Sequence, residues 1–212
     1  MTEVEGTSPR PGYELGKRAL DLAIVLPVAI ALAPLLAGLA AAVRLDSRGP
    51  ILFRQERIGR HGKPFQILKL RTLHAERPTS PADFIISPKD ARITRVGAFL
   101  RRWSLDELPQ LWNIVRGDMS VVGPRPTLGY QVEQYTEYQR RRLEVLPGIT
   151  GWAQVNGRNA LTWPERIKLD VWYVDHRSLA LDLKILLLTP RILVRARSIY
   201  DDAPGVWGER ES

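Results

Sequence analysis

From Leu22 to Val43 the chain runs for 22 residues without a charged side chain. As a straight helix that run is ~33 Å long, enough to cross a hydrocarbon core of ~30 Å. Lys17 and Arg18 precede it and Ala40-Ala41-Ala42 lies near its end, the outline of a secretory signal. The run nevertheless exceeds the ~7–15 apolar residues of a signal core and reads as a permanent membrane segment. Arg10, Lys17 and Arg18 flank it on one side, and Arg44, Arg48, Arg54 and Arg57 on the other. With cations at both ends, the positive-inside bias gives little reason to move either end outward. Pro34 removes a backbone donor in mid-run and clashes with the preceding turn, which predicts a kink. A hydrophobic hairpin entering and leaving by one face satisfies both features. A simple spanning helix is the competing arrangement.

Beyond this segment the period of the pattern changes repeatedly. Ile51-Leu52-Phe53 and Phe65-Gln66-Ile67-Leu68-Lys69-Leu70-Arg71-Thr72 flank the turn cluster Gly59-Arg60-His61-Gly62-Lys63-Pro64, which predicts a β-hairpin. Strand alternation puts Lys69 and Arg71 on one face, a solvated surface or a pair of phosphate ligands. Residues 77–90 read as a loop, and Ile93, Val96, Phe99 and Leu100 predict a helix over 93–103. Ser104 with Glu107 three places on is the capping-box pattern, putting Asp106 and Glu107 in a first helical turn that Gly117 later closes. Residues 128–146 read as one amphipathic helix with Arg140, Arg141 and Arg142 on a solvated face or against membrane phosphates. Thr162-Trp163-Pro164-Glu165 repeats the capping pattern. Residues 181–197 suit either a core helix or one lying in a membrane interface, with Trp172 nearby.

Composition narrows the partners. The 212 residues carry a net charge of +8 and a pI near 10.1, which favours an anionic partner: nucleic acid, a phosphorylated substrate or an anionic lipid surface. The absence of cysteine excludes disulfides and thiolate metal sites. His61, His74 and His176 have no metal-ligand spacing.

The candidate chemistry lies in Ser104-Leu105-Asp106-Glu107-Leu108-Pro109-Gln110-Leu111-Trp112-Asn113, followed by Pro124-Arg125-Pro126. Two adjacent carboxylates near an arginine fixed between prolines suit phosphoryl chemistry. One carboxylate can carry a metal or attack phosphorus while the guanidinium grips phosphate oxygens. The bland alternative makes the two carboxylates a helix cap only. Residues 147–159 are turn-rich and lack the Gly-Lys-Ser/Thr ending of a Walker loop. Gln154, Asn156, Arg158 and Asn159 there are candidates to hydrogen-bond a sugar, a base or neighbouring loops.

Taken in order, the motifs resemble those of the bacterial sugar transferases that are monotopic phosphoglycosyl transferases. The resemblance runs from about Lys17 to Ser198. It rests on Lys17-Arg18-x-x-Asp21, Gln55-x-Arg57-x-Gly59, Lys69-Leu70-Arg71-Thr72, the Asp106-Glu107 segment, residues 117–126, and residues 147–158. With no multi-span region before the motifs, the resemblance leads one to expect a small member of the catalytic-domain-only kind.

The resemblance implies transfer of sugar 1-phosphate from a UDP-sugar to undecaprenyl phosphate, with UMP leaving. Asp106 is then the nucleophile that forms a covalent phosphosugar intermediate, and Glu107 assists by accepting the acceptor's proton. Mg2+ bridges the pair and the diphosphate, with Asp106 as its ligand. The family's other polar site positions map onto Lys69, Arg125, Arg158 and Asp170. Arg71 and Asn156 complete the candidate substrate-binding set.

The resemblance also implies partners and place. These are a phospholipid membrane and downstream glycosyltransferases, no nucleic acid, and the cytoplasmic face of the bacterial inner membrane. Family members often break their re-entrant helix at Ser-Pro, where this chain has Ala33-Pro34, so the break rests on Pro34 and Pro27. The expected fold class is α/β, mostly helical with a small β-hairpin, with interfacial amphipathic helices. Its parts are a flexible stretch at 1–16, the re-entrant helix at 17–48, the catalytic domain at 49–198 and a tail at 199–212. The rival readings are a membrane-tethered nucleic-acid-binding protein and an inactive pathway scaffold.

Overall fold

The computed structural model describes residues 11–74, 90–157 and 161–195. Helix α1 (Pro11–Asp46) holds the uncharged run and continues through Pro27 and Pro34 as one 36-residue helix. The hairpin expected from the sequence is therefore not present as two helices. Each proline forfeits one amide donor, and the helix-favouring Leu and Ala turns on both sides carry the helix across.

Both ends of α1 are anchored to the same body. Near its start, Arg18 donates to the carbonyls of Ile114 (2.5 Å) and Val115 (2.8 Å), and Asp21 accepts from the Val121 amide (3.1 Å). Val25 joins a core cluster with Ile67, Ile114 and Met119. At its far end, Val43 packs with Leu70 and Leu100, and the Asp46 carboxylate accepts from the Val96 amide at 2.9 Å. Between them Leu26, Val28, Ile30 and Leu35 are exposed.

The hairpin forms as the sequence predicts. Strands β1 (Leu52–Ile58) and β2 (Pro64–Leu70) pair antiparallel from Leu52 opposite Leu70 to Ile58 opposite Pro64. Helix α2 (Arg95–Arg102) begins at Thr94, whose hydroxyl accepts from the Gly97 amide. Gly97 lets α2 lie directly on the chain after β2, because a Cβ there would sit 2.1 Å from the Thr72 carbonyl oxygen. A short 3-10 turn (Leu105–Glu107) leads into α3 (Gln110–Arg116), which Gly117 ends in the left-handed conformation.

Strand β3 (Ser120–Val122) pairs in parallel with β4 (Gly148–Thr150), a pairing that the sequence reading did not contain. The single helix expected over 128–146 is instead α4 (Gly129–Glu133), α5 (Glu137–Arg140) and a 3-10 turn (Arg141–Glu144). Thr136 restarts the chain: its hydroxyl accepts from the Gln139 amide, and the Gln139 side chain accepts from the Thr136 amide. The pattern could not reveal that local cap through apolar periodicity alone. Helix α6 (Trp152–Val155), α7 (Trp163–His176) and α8 (Leu179–Arg195) complete the order. The Thr162–Glu165 capping box is formed as predicted.

Below α1, a polar knot joins its start to α7 and α8. Asp182, fully buried, accepts from Lys17 (3.0 Å), Tyr13 (2.9 Å) and Tyr173 (2.7 Å). Three donors on one carboxylate offset the cost of burying its charge.

Candidate active site

Lys69 and Arg125 meet on Glu107. Lys69 Nζ donates to Glu107 Oε1 at 2.9 Å and Arg125 Nη2 to the same oxygen at 2.6 Å. Burial opposes the charge on Glu107, yet Arg125 and Lys69 outweigh it and hold its carboxyl far below the usual range. Held that strongly ionised, Glu107 is poorly suited to take up a proton near neutral pH. Its position also differs from the predicted helix cap. Ser104 has φ 55° in the left-handed region and makes no side-chain capping bond, because the two cations claim the Glu107 carboxylate instead.

Asp106 is in the opposite electrostatic state. It is 9 % exposed and no hydrogen bond to its carboxylate is seen among the described residues. Burial pushes its pKa up, with Lys69, Arg101 and Arg125 pulling against that and Glu107 adding to it. The two neighbouring carboxylates are therefore differentiated: Glu107 is locked by cations, while Asp106 is desolvated and carries no bonded partner among the described residues.

The scaffold behind the pair is polar and buried. Asn113, fully buried on α3, accepts from the Leu68 amide (3.0 Å) and donates to the Gln66 carbonyl (2.8 Å). It acts as a short strand partner for β2 and fixes α3 relative to the strand that carries Lys69. The sequence reading did not single out Asn113, which shares the buried face of α3 with Gln110 and Ile114.

Arg125 is held through its backbone. Pro124 O accepts from the Gly148 amide (2.9 Å), Arg125 O from Arg142 (3.0 Å), Pro126 O from Arg57 (3.4 Å) and Thr127 O from the Ile58 amide (2.9 Å). Four consecutive carbonyls are thus occupied, which fixes the Arg125 backbone from which the guanidinium reaches Glu107. Arg57, not among the predicted site residues, lies close enough that burial and Arg125 push it down to about 10, with Tyr130 and Glu107 acting the other way. Its signal was the Gln55-x-Arg57-x-Gly59 motif.

Asp170 does not reach the carboxylate pair. It accepts from Arg142 at 2.5 Å in a fully buried ion pair, and Arg142 also donates to Tyr135 and to Arg125 O. Arg142 therefore departs from the solvated face expected for it. Burial works against its charge, but Asp170 and Tyr135 outweigh that and raise its pKa.

Arg71 is likewise drawn elsewhere. Its guanidinium donates to the carbonyl and hydroxyl oxygens of Ser47, just past the end of α1, and is 5 % exposed. The free carbonyls at a helix end attract it more than the face it shares with Lys69. Asn156 is exposed and donates to the Trp152 carbonyl, away from Glu107. Arg158 lies outside the described residues.

This desolvated acid beside a cation-bound acid sits in a chain whose residues 12–196 match the bacterial sugar transferase family. The chain belongs to that family and is an enzyme of the transferase class. It is 46 % identical to the uncharacterized sugar transferase EpsL of Bacillus subtilis, over 86 % of this chain and 89 % of that protein. It is 44 % identical to the UDP-glucose:undecaprenyl-phosphate glucose-1-phosphate transferase of Caulobacter vibrioides, over 92 % of this chain and 76 % of that one. Identity to the undecaprenyl-phosphate glucose phosphotransferase of Komagataeibacter xylinus is 42 % over 88 % of this chain, which spans only 37 % of that longer protein.

Proposed function

We propose that this protein transfers sugar 1-phosphate from a UDP-sugar to undecaprenyl phosphate through a phosphosugar intermediate on Asp106. The observation that carries the proposal is the pairing of a buried, unbonded Asp106 with a Glu107 that holds Lys69 and Arg125 in place. Relatives named as undecaprenyl-phosphate sugar transferases support the substrate classes.

An Asp106 oxygen attacks the sugar-bearing phosphorus, the bond to the bridging oxygen breaks, and UMP leaves with that electron pair. A phosphate oxygen of the polyprenyl acceptor then attacks the same phosphorus and returns the electron pair to Asp106. Lys69 and Arg125 neutralise the anions that meet in each step, where preoriented cations count most. Glu107 orients them. Arg142 and Asp170 are positioning residues that act through the Arg125 backbone.

The residues present suit Mg2+. No trio of His, Asp or Glu gathers among the described residues, but Mg2+ is commonly held by one or two carboxylates together with substrate phosphates. Asp106 would supply that carboxylate, and the ion would screen the diphosphate and polarise its oxygens.

Two features support a membrane site served from one face. Almost none of the apolar middle of α1 is buried, as expected of a surface in contact with lipid. Its two ends pack against one body, at Val25 and at Val43, so a helix crossing to the far side would have to tear one end away. A re-entrant α1 bent within its continuous length fits both. The positive flanks favour the cytoplasmic face for that body. Helix α8 adds a line of exposed Leu179, Leu183 and Leu187 beside its buried Ile185, and Trp172 is exposed nearby, which suits an interfacial face.

The direct test is to mix the protein with a UDP-sugar alone and quench rapidly. A sugar-phosphate mass should appear on the peptide containing Asp106, and UMP should be released in equal amount. Asp106→Asn should give neither; UMP release at the unaltered rate in that variant would remove Asp106 as nucleophile.

A further inference from the structure

Helix α2 has two working sides. Val96, Gly97 and Leu100 face inward, with Leu100 fully buried beside Val43 of α1. On the outer side Ala98, Phe99, Arg102 and Trp103 line an open groove of about 450 Å3. The i, i+4 pairs Ala98–Arg102 and Phe99–Trp103 form its two ridges, and the small Ala98 leaves the space between them. Phe99 is 51 % exposed and Trp103 46 %.

We propose that this groove is the subsite for the first isoprenyl units of the polyprenyl phosphate acceptor, with Arg102 attracting the lipid's phosphate toward the site. The inference rests on the proposed reaction and adds to it where the acceptor lies. Continuity with the membrane is the first support. The helix that lines the groove is the one whose Leu100 packs with Leu39 and Val43, where the exposed apolar surface of α1 meets the body.

Proximity to the chemistry is the second support. Trp103 is followed at once by Ser104, whose left-handed turn delivers Asp106 three residues after the groove ends. Arg101, next to Arg102, is near enough to influence the Asp106 carboxyl. Charge is the third. Arg102 is exposed and has no carboxylate partner among the described residues. Two aromatic walls with a guanidinium at the edge match an apolar chain with an anionic head. The size also agrees, since pockets of roughly 300–1,000 Å3 hold small ligands, and this one would take a few isoprenyl units and leave the rest in lipid.

The test uses the full chain in detergent, unaltered and as Phe99→Ala/Trp103→Ala and Arg102→Gln. Equilibrium binding of undecaprenyl phosphate should weaken tenfold or more in the double variant and severalfold in Arg102→Gln. Release of UMP from UDP-sugar alone should stay within twofold, which certifies the fold and the first half-reaction. KM for the acceptor should rise with kcat little changed, and the preference for undecaprenyl over geranyl phosphate should shrink. An unchanged dissociation constant for undecaprenyl phosphate would overturn the proposal. So would variants that lose only flotation with phosphatidylglycerol vesicles while binding the acceptor normally in detergent, since the groove would then be a membrane contact. Because binding is read without turnover, a protein that binds the lipid through the groove yet releases no UMP would refute the proposed reaction and leave the groove standing.

Discussion

Replacing Asp170 tests how far the site depends on a buried ion pair that reaches it only through the Arg125 carbonyl. Asp170→Ala strands the Arg142 guanidinium, whose side chain is 1 % exposed, without its anion. Removing one partner of such a pair costs about 3–5 kcal/mol. For a protein of this length 1 kcal/mol moves Tm by roughly 2–4 °C, so the variant should melt about 6–20 °C lower. The double change Asp170→Leu/Arg142→Met replaces both charges with apolar groups of similar bulk, for which stability should return most of the way.

Activity should not return with stability. The double variant still lacks the 3.0 Å bond from Arg142 to Arg125 O, so Arg125 loses one of its backbone restraints. A tenfold fall in kcat/KM corresponds to ~1.4 kcal/mol of lost transition-state stabilisation, a size expected for one hydrogen bond to a charged group. The assays are thermal unfolding in detergent and UMP release at saturating acceptor. A double variant as unstable as Asp170→Ala would refute the ion-pair account. A stable double variant with unaltered kcat/KM would refute the positioning role.

Three further outcomes follow from the same geometry. Asp106 must be ionised to attack, and burial raises its pKa, so kcat/KM should fall on the acid side with an apparent pKa above that of an ordinary aspartate. Lys69→Met should move that limb to higher pH, because Lys69 is the leading influence holding the pKa down; a limb at the same pH would exclude Asp106 as the titrating group. Asn113→Leu should cost roughly 2–6 kcal/mol, since the Leu68 amide and Gln66 carbonyl are left unpaired at about 1–3 kcal/mol each, and thermal unfolding would read it. The native chain has no cysteine, so Gly12→Cys and Lys63→Cys give single-thiol variants. Both should resist a membrane-impermeant maleimide in intact spheroplasts and react after lysis; labelling of one alone would mean that α1 spans.

The parts of the site legible in sequence were those whose chemistry is local. Asp106-Glu107 and Pro124-Arg125-Pro126 stood out because adjacent carboxylates and a proline-bounded arginine are unusual whatever surrounds them. Arg71 and Arg142 were misplaced for one reason: a long guanidinium follows the best acceptor within reach, and neither acceptor is near in sequence. For Arg71 it is Ser47 at the end of α1, and for Arg142 it is Asp170 on α7. The Ser104 capping box failed similarly, because Lys69 and Arg125 offer Glu107 full charges where a cap offers one backbone amide. Asn113 escaped notice because nothing local marks the strand edge that it completes.

The order of motifs, the uncharged length of α1, the hairpin and the two acids were determined by the sequence alone. They depend on covalent spacing, on side-chain period and on the cost of placing charge in lipid, all of which are fixed before the chain folds. Which acid stays free and which is bound, which arginines serve the site, and that both ends of α1 rest on one body were decided only by the tertiary structure. Those outcomes depend on desolvation and on charges brought together across 38 residues between Lys69 and Glu107 and 28 between Arg142 and Asp170. Coulomb interactions and burial act through space, and only the folded chain sets those distances.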